Sequence, residues 1–214
     1  MARVQDIQLL IVRCGDTLWD KSGRLAGGGS ELPLCEEGRV AMRSIADRLS
    51  WSSLGVVVGG KDPASEETTG LVSGATGAKV RLIDELGEVS LGLWEGLLLA
   101  ELEDRFPTVY RQWKDSPEGV LVPQGESIEE ARRRLIEAIG RVLSRTRGVG
   151  KGVGMVLRPM AYLIVRSWLR GESIADVWTK QDEIPDMEWH CVPRLKLRGQ
   201  GTAPNGASSR AKAS

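Results

Sequence analysis

Short apolar runs alternate with helix-spaced segments along this chain, and that alternation restricts its fold more than any other feature. "IQLLIV", residues 7–12, reads as a buried strand, "GVVVGG" at 55–60 as a second, residues 79–83 as a third and "GVGMVLR" at 152–158 as a fourth. Between them, residues 36–49 carry Val40, Ile45 and Leu49 at helical spacing behind an acidic start, residues 65–73 carry a weaker helical pattern, and residues 161–169 form a helix after the fourth strand. The clearest element is "SIEEARRRLIEAIGRVLSRTR", residues 127–147. Ser127 and Glu130 form an S-x-x-E capping box there, and Ile128, Ala131, Leu135, Ile139 and Val142 line one face. Strands separated by helices predict a three-layer α/β/α sandwich with a largely parallel central sheet.

With 214 residues, 41% of them hydrophobic, the chain can bury one substantial core. A single domain over 1–197 is expected. The remaining stretch, 198–214, lacks large apolar residues and is expected to be a disordered, mildly basic tail. The 29 basic and 29 acidic side chains cancel, so no global field recruits nucleic acid or an anionic membrane surface, and neither is expected as a partner. Cys14, Cys35 and Cys191 have no CxxC spacing, which speaks against a zinc ribbon and a disulfide framework. Together with the absence of an apolar leader or a span of about 20 apolar residues, this predicts a cytoplasmic protein. No metal or other cofactor is implied.

Two glycine-lysine stretches resemble phosphate loops by count alone. In 55–61 the middle of the pattern is itself a strand and Asp62 follows the lysine; 148–154 precedes a strand instead of joining a strand to a helix. Both are read as connections. Of the seven tryptophans, Trp94, Trp113 and Trp168 are expected to fill the core and a pocket rim, and Trp51 and Trp178 to mark a partner surface. Arg132 to Arg134 are expected to pair with Glu129, Glu130 and Glu137 at helix spacing.

Four motifs in order carry a resemblance. "LLIVRCGDTLWDKSGRLAGGGSELPLCEEGR" places Arg13, Cys14, Gly15, Asp16 and Thr17 after an apolar strand, followed by Trp19, Asp20, Gly23, Arg24 and then Pro33, Leu34, Cys35 and Gly38. "KDPASEETTG" follows the second strand, "ELGEVSLGLWEG" contains Glu88, Gly92, Trp94, Glu95 and Gly96, and "PQGES" opens the long helix. This series resembles the histidine phosphatase superfamily, the phosphoglycerate-mutase-like group, from about Leu9 to Gly171.

The resemblance implies phosphoryl transfer through the histidine of an Arg-His-Gly motif. A second histidine after a later strand, two phosphate-neutralising arginines and a carboxylic acid that protonates the leaving group complete the implied set. An imidazole is nucleophilic near neutral pH, and fixed positive charge stabilises a transferring phosphoryl group. Matched position by position, Arg13 is retained and Glu88 stands at the general acid. Cys14 replaces the nucleophilic histidine, Ser65 the second arginine and Arg158 the second histidine. His190, the one histidine in the chain, belongs to no catalytic motif and reads as a structural residue on a late strand.

Losing the nucleophile from groups that act as a unit lowers turnover by about 10⁶-fold, roughly 8 kcal/mol of transition-state stabilisation. Cys14 therefore has two readings. It is a small buried residue tolerated where histidine is no longer needed, or a replacement thiolate favoured by Arg13; the place of the arginine that ends a cysteine-phosphatase loop is here Asp20. Arg158 also has two readings: it joins Arg13 and Arg24 around an anion, or it points to solvent while Pro159 starts the next helix. The implied roles are a pseudophosphatase binding a phosphorylated or otherwise anionic ligand or a protein partner, an altered phosphatase or phosphomutase using Cys14 or water with Glu88, and a structural subunit. Oligomeric state is left open.

Overall fold

The computed structural model describes residues 6–146 and 151–193. In chain order the elements are β1 (Ile7–Arg13), α1 (Leu18–Lys21), α2 (Glu36–Arg48), β2 (Leu54–Gly59), α3 (Pro63–Thr76) and β3 (Lys79–Leu82). They continue with α4 (Leu99–Arg105), α5 (Pro107–Asp115), α6 (Ile128–Arg145), β4 (Gly152–Leu157), α7 (Pro159–Arg170), α8 (Ile174–Thr179) and β5 (Met187–Val192). The expected tail at 198–214 lies outside the described residues.

The five strands form one sheet in the order β3-β2-β4-β1-β5. The first four are mutually parallel, and β5 runs antiparallel along the free edge of β1. Side chains of β1 alternate between two cores, as the period of a strand requires. Leu9 and Ile11 pack with α6, α7, α8 and the segment around α4 and α5, while Leu10, Val12 and Cys14 pack with Met42 and Ile45 of α2 and Ala64 and Val72 of α3. This is the three-layer arrangement the alternation predicts. Central strands β1 and β4 are covered on both faces, which is why they read as continuous apolar runs.

Local chemistry explains the helix limits. The α6 capping box forms as expected: Ser127 Oγ accepts from the Glu130 amide at 3.2 Å, and the Ser127 amide donates to Glu130 Oε2 at 2.8 Å. Asp62 caps α3 by accepting from the Ser65 amide at 3.0 Å, with Pro63 at the first helical position. Two motifs of the resemblance prove to be one structure. The Ser90 amide donates to Glu126 Oε1 at 3.1 Å and the Leu93 amide to the Pro123 carbonyl at 3.0 Å. Gly92 takes a φ of 46° here, and any Cβ on it would collide with the backbone of Pro123 and Gln124.

Two expectations are corrected. Trp178 is no surface marker: it is buried and meets Trp113 edge-on at 5.1 Å, and Trp113 meets Trp94 edge-on at 5.6 Å. This joins α5, α8 and the Gly92–Trp94 turn in one aromatic cluster. Trp51 is exposed as expected, and Trp168 packs half-buried against the core. Of the three consecutive arginines, Arg132 pairs with Glu129 at helix spacing, but Arg134 leaves its helix and binds Glu126 and the carbonyls of Glu85, Gly87 and Glu88. No helix among the described residues is long and apolar enough to cross a membrane.

Candidate active site

The carboxyl ends of neighbouring parallel strands place two side chains together. Arg13 of β1 pairs in register with Leu157 of β4, and the Cys14 amide donates to the Leu157 carbonyl at 2.7 Å, so Cys14 and Arg158 step off the sheet side by side. Cys14 Sγ lies 3.3 Å from Thr68 Oγ1 of α3 and 4.0 Å from Arg158 Nη1. Burial pushes the Cys14 thiol up to about 11, against the opposing pull of Arg158 and Thr68. At neutral pH it is therefore a thiol and not a nucleophilic thiolate.

The reading in which Arg158 points to solvent is overturned, although Pro159 does start α7. Arg158 is 1% exposed, and its Nη2 lies 3.5 Å from Asp20 Oδ2. Burial works against its charge, but Cys14, Asp20, Glu88 and Asp62 hold its pKa above the ordinary guanidinium value. Asp20 is fixed by the α1 capping box, with its Oδ2 accepting from the Thr17 amide and hydroxyl at 2.7 Å each.

Glu88 is buried within the electrostatic reach of Arg158. Its Oε1 accepts from the Val89 and Ala161 amides at 2.8 Å each, and Oε2 accepts from the Met160 amide at 2.9 Å. Burial pushes the carboxyl up to about 7, opposed by Arg158 and by the three amides. Arg134 fastens the Glu88 turn from α6 through the carbonyls of Glu85, Gly87 and Glu88 at 2.9, 3.0 and 3.3 Å.

A cavity of about 280 Å³ opens beside Glu88 and Arg158. Four carboxylates on its wall, Glu31, Asp62, Asp84 and Glu88, face two cations, Lys61 and Arg158, and Lys61 is already paired with Asp84 at 2.7 Å. The three expected arginines do not converge on it. Arg13 continues the alternation of β1 to the α7 side of the sheet, where its charge acts on the Tyr162 hydroxyl. Arg24 is exposed and donates to the Gly96 carbonyl at 2.6 Å. Ser65 is fully buried in the first turn of α3, and its Oγ has no hydrogen-bond partner among the described residues. His190 lies on β5, as the sequence predicts, with Nε2 3.4 Å from Glu188 Oε2 and away from the cavity. Asp62, Thr68 and Arg134 are site residues that sequence reasoning missed. Only Asp62 carried a signal, an Asp-Pro pair before a helix.

Against known families, residues 9–188 match the model of the histidine phosphatase superfamily, branch 1. The chain belongs to this superfamily. Among curated relatives of this chain, phosphoserine phosphatase 1 of Hydrogenobacter thermophilus is 26% identical over 129 residues, 60% of this chain and 61% of that protein. A probable phosphoglycerate mutase of Erwinia tasmaniensis is 28% identical over 138 residues, 64% of each chain. The chain thus spans less than two thirds of the length of these curated relatives. Among solved structures, Bacillus stearothermophilus YhfR superposes with a TM-score of 0.73 at 23% identity, covering 80% of this chain and 84% of that one. A mycobacterial glucosyl-3-phosphoglycerate phosphatase superposes with a TM-score of 0.70 at 22% identity, covering 81% and 84%. These likenesses establish the shared fold.

Proposed function

We propose that this chain is a catalytically silent histidine phosphatase whose inherited cleft binds and does not turn over. The observation that carries the reading is the Cys14–Arg158 contact. A buried thiol held in its neutral form stands at the nucleophile position, and a guanidinium, which cannot act as a base or nucleophile, stands at the position of the second histidine. Ser65 supplies no charge where the resemblance implies an arginine, and the cavity wall carries more carboxylates than cations. A phosphoryl group bound there would meet no nucleophile, and Arg158 alone is too little positive charge to stabilise its transfer. The names of the relatives make a phosphorylated small molecule the ligand class of this reading.

The purified chain, offered an aryl phosphate, phosphoserine and phosphoglycerates, is expected to give no turnover above buffer. Turnover that Cys14→Ser abolishes would overturn the reading and establish a thiol mechanism. Turnover that Glu88→Gln abolishes and Cys14→Ser spares would support the second reading, water activated beside Glu88. That alternative draws on one observation, a carboxyl pushed up to about 7, in the range useful for proton transfer.

A further inference from the structure

One wall of the cavity comes from a single segment, 27–31: Gly27, Gly28, Ser30 and Glu31 line it together with Glu88 and Arg158. The segment is anchored at both ends. Before it, the Leu25 amide donates to the Leu97 carbonyl and the Gly96 amide to the Leu25 carbonyl, both at 2.9 Å. After it, the Leu34 amide donates to Glu67 Oε2 at 3.3 Å and the Cys35 amide to the Asp16 carbonyl at 2.9 Å. Between these anchors little holds it. The Ser30 amide donates to the Gly27 carbonyl at 3.1 Å, which closes a turn within the segment itself. Among the described residues, its hydrogen bonds to the rest of the protein run from the Gly28 amide to the Val89 carbonyl at 3.0 Å and from the Gly29 amide to Glu95 Oε2 and Oε1 at 3.2 and 3.3 Å. Glu95 does not line the cavity, but its carboxylate is shaped to receive this turn. Its Oε1 also accepts from the Leu91 amide at 3.1 Å, and a Cβ on Gly27 or Gly29 would collide with it. Gly28 in turn rests on the Glu88 carbonyl, where a Cβ would stand at 2.9 Å.

Arg158 is 1% exposed and Glu88 6%, although both line the cavity, so a solute reaches them only when a wall moves. The other walls are set by regular elements: Arg158 stands between β4 and α7, and Asp62 caps α3. We propose that segment 27–31 is the gate of the cleft and that Glu95 is its latch, a positioning residue that holds the glycine turn closed. The gate opens when the Gly28 and Gly29 amides exchange their protein acceptors for water. Both glycines are exposed, so water stands ready to replace those acceptors, and a turn of glycines can change its backbone angles without side-chain clashes. The inference rests on the reading of the cleft as a binding site and adds how a ligand enters it.

The test compares the full wild-type chain with Glu95→Ala, Gly29→Ala and the double variant. Amide hydrogen exchange, resolved by NMR, is expected to run at least about a hundredfold faster at Gly28 and Gly29 than in β1 of the wild type. Access to the cleft is read by carbodiimide coupling of a small amine to Glu88 at about pH 5.5, located by tandem mass spectrometry. Coupling is expected to be about tenfold faster in Glu95→Ala than in wild type. Gly29→Ala, whose Cβ collides with the latch, is expected to give a similar rise. The double variant is expected to exceed Glu95→Ala by nothing, since the collision needs the carboxylate. Exchange across α6 is expected to keep its wild-type rate in all three, which a general loss of stability would not allow. Glu88 coupling unchanged in both single variants overturns the proposal. So does wild-type exchange at Gly28 and Gly29 as slow as in β1, or a rise that spreads equally through α6. If one variant does not fold, the other and the wild-type exchange decide. The readouts are motion and access, so their failure is distinct from that of the non-catalytic reading, which only turnover can overturn.

Discussion

Arg158 Nη1 lies 4.0 Å from Cys14 Sγ, at the ends of two adjacent parallel strands, in a space closed to solvent. Two of the three substitutions that separate this chain from the implied catalytic set are therefore in contact. The stability effects of substituting contacting residues are not additive.

Restoring one without the other is accordingly expected to fail. Cys14→His enlarges a 2% exposed side chain against a buried guanidinium, and overpacking of this kind costs about 1–3 kcal/mol. Urea denaturation is expected to show that loss, with no phosphatase activity gained. Adding Arg158→His and Ser65→Arg is expected to recover part of the stability and to bring detectable aryl phosphate hydrolysis. Full activity from Cys14→His alone would refute the correspondence of Ser65 and Arg158.

Glu88 predicts a pH dependence of stability with a definite sign. Burial raises its folded pKa to about 7, above the ordinary carboxyl value of 4.5, so the folded state binds the proton more tightly than the unfolded chain. The stability it contributes is complete below about pH 4.5 and is lost as pH rises through about 7, an effect of about 3 kcal/mol. Glu67 is shifted the opposite way by Arg39, and Glu130 by the amide and hydroxyl of Ser127, so the raw wild-type profile mixes signs. The difference between wild type and Glu88→Gln isolates the Glu88 share. A flat difference between pH 4.5 and 7 would contradict the assignment.

The thiols are expected to separate by reactivity. Cys14 and Cys35 are buried, Cys14 with its thiol pushed up to about 11, while Cys191 is exposed on β5. Iodoacetamide at about pH 8 is expected to modify Cys191 in the native protein and all three cysteines after denaturation, read by intact mass. Fast modification of Cys14 in the native state would show that the cleft opens.

Trp113 bridges Trp94 and Trp178 and is 5% exposed. Trp113→Ala is expected to cost about 3–5 kcal/mol and to loosen α5 from α8. Chemical denaturation measures the first effect and amide hydrogen exchange across α5 and α8 the second.

The sheet and the long helix were legible because their signals are local. Periodicity marks β1 and α6, and the Ser127–Glu130 box needs only four residues. The cleft was half legible. Motif order gave Cys14, Ser65, Glu88 and Arg158 their positions, but spacing along the chain does not say where a long side chain ends. Arg24 and Arg134 illustrate this: one turns to Gly96, the other crosses from α6 to the Glu88 turn, and nothing in their neighbours announces either course. Trp178 was misread for a related reason. On a six-residue helix a tryptophan at a core position and one at a surface position leave the same pattern, and its place was decided by Trp113, from a segment more than sixty residues away.

The strand order has a consequence for how the protein is made. β1 is synthesised well before β4 and β5, which are its neighbours in the sheet. At translation rates of about 5–20 residues per second, roughly ten to thirty seconds pass before β4 exists to receive it. Throughout that interval "LLIV", buried on both faces in the finished sheet, has no partner strand. Until β4 emerges, this aliphatic segment is the kind of transiently exposed apolar surface on which nascent chains aggregate.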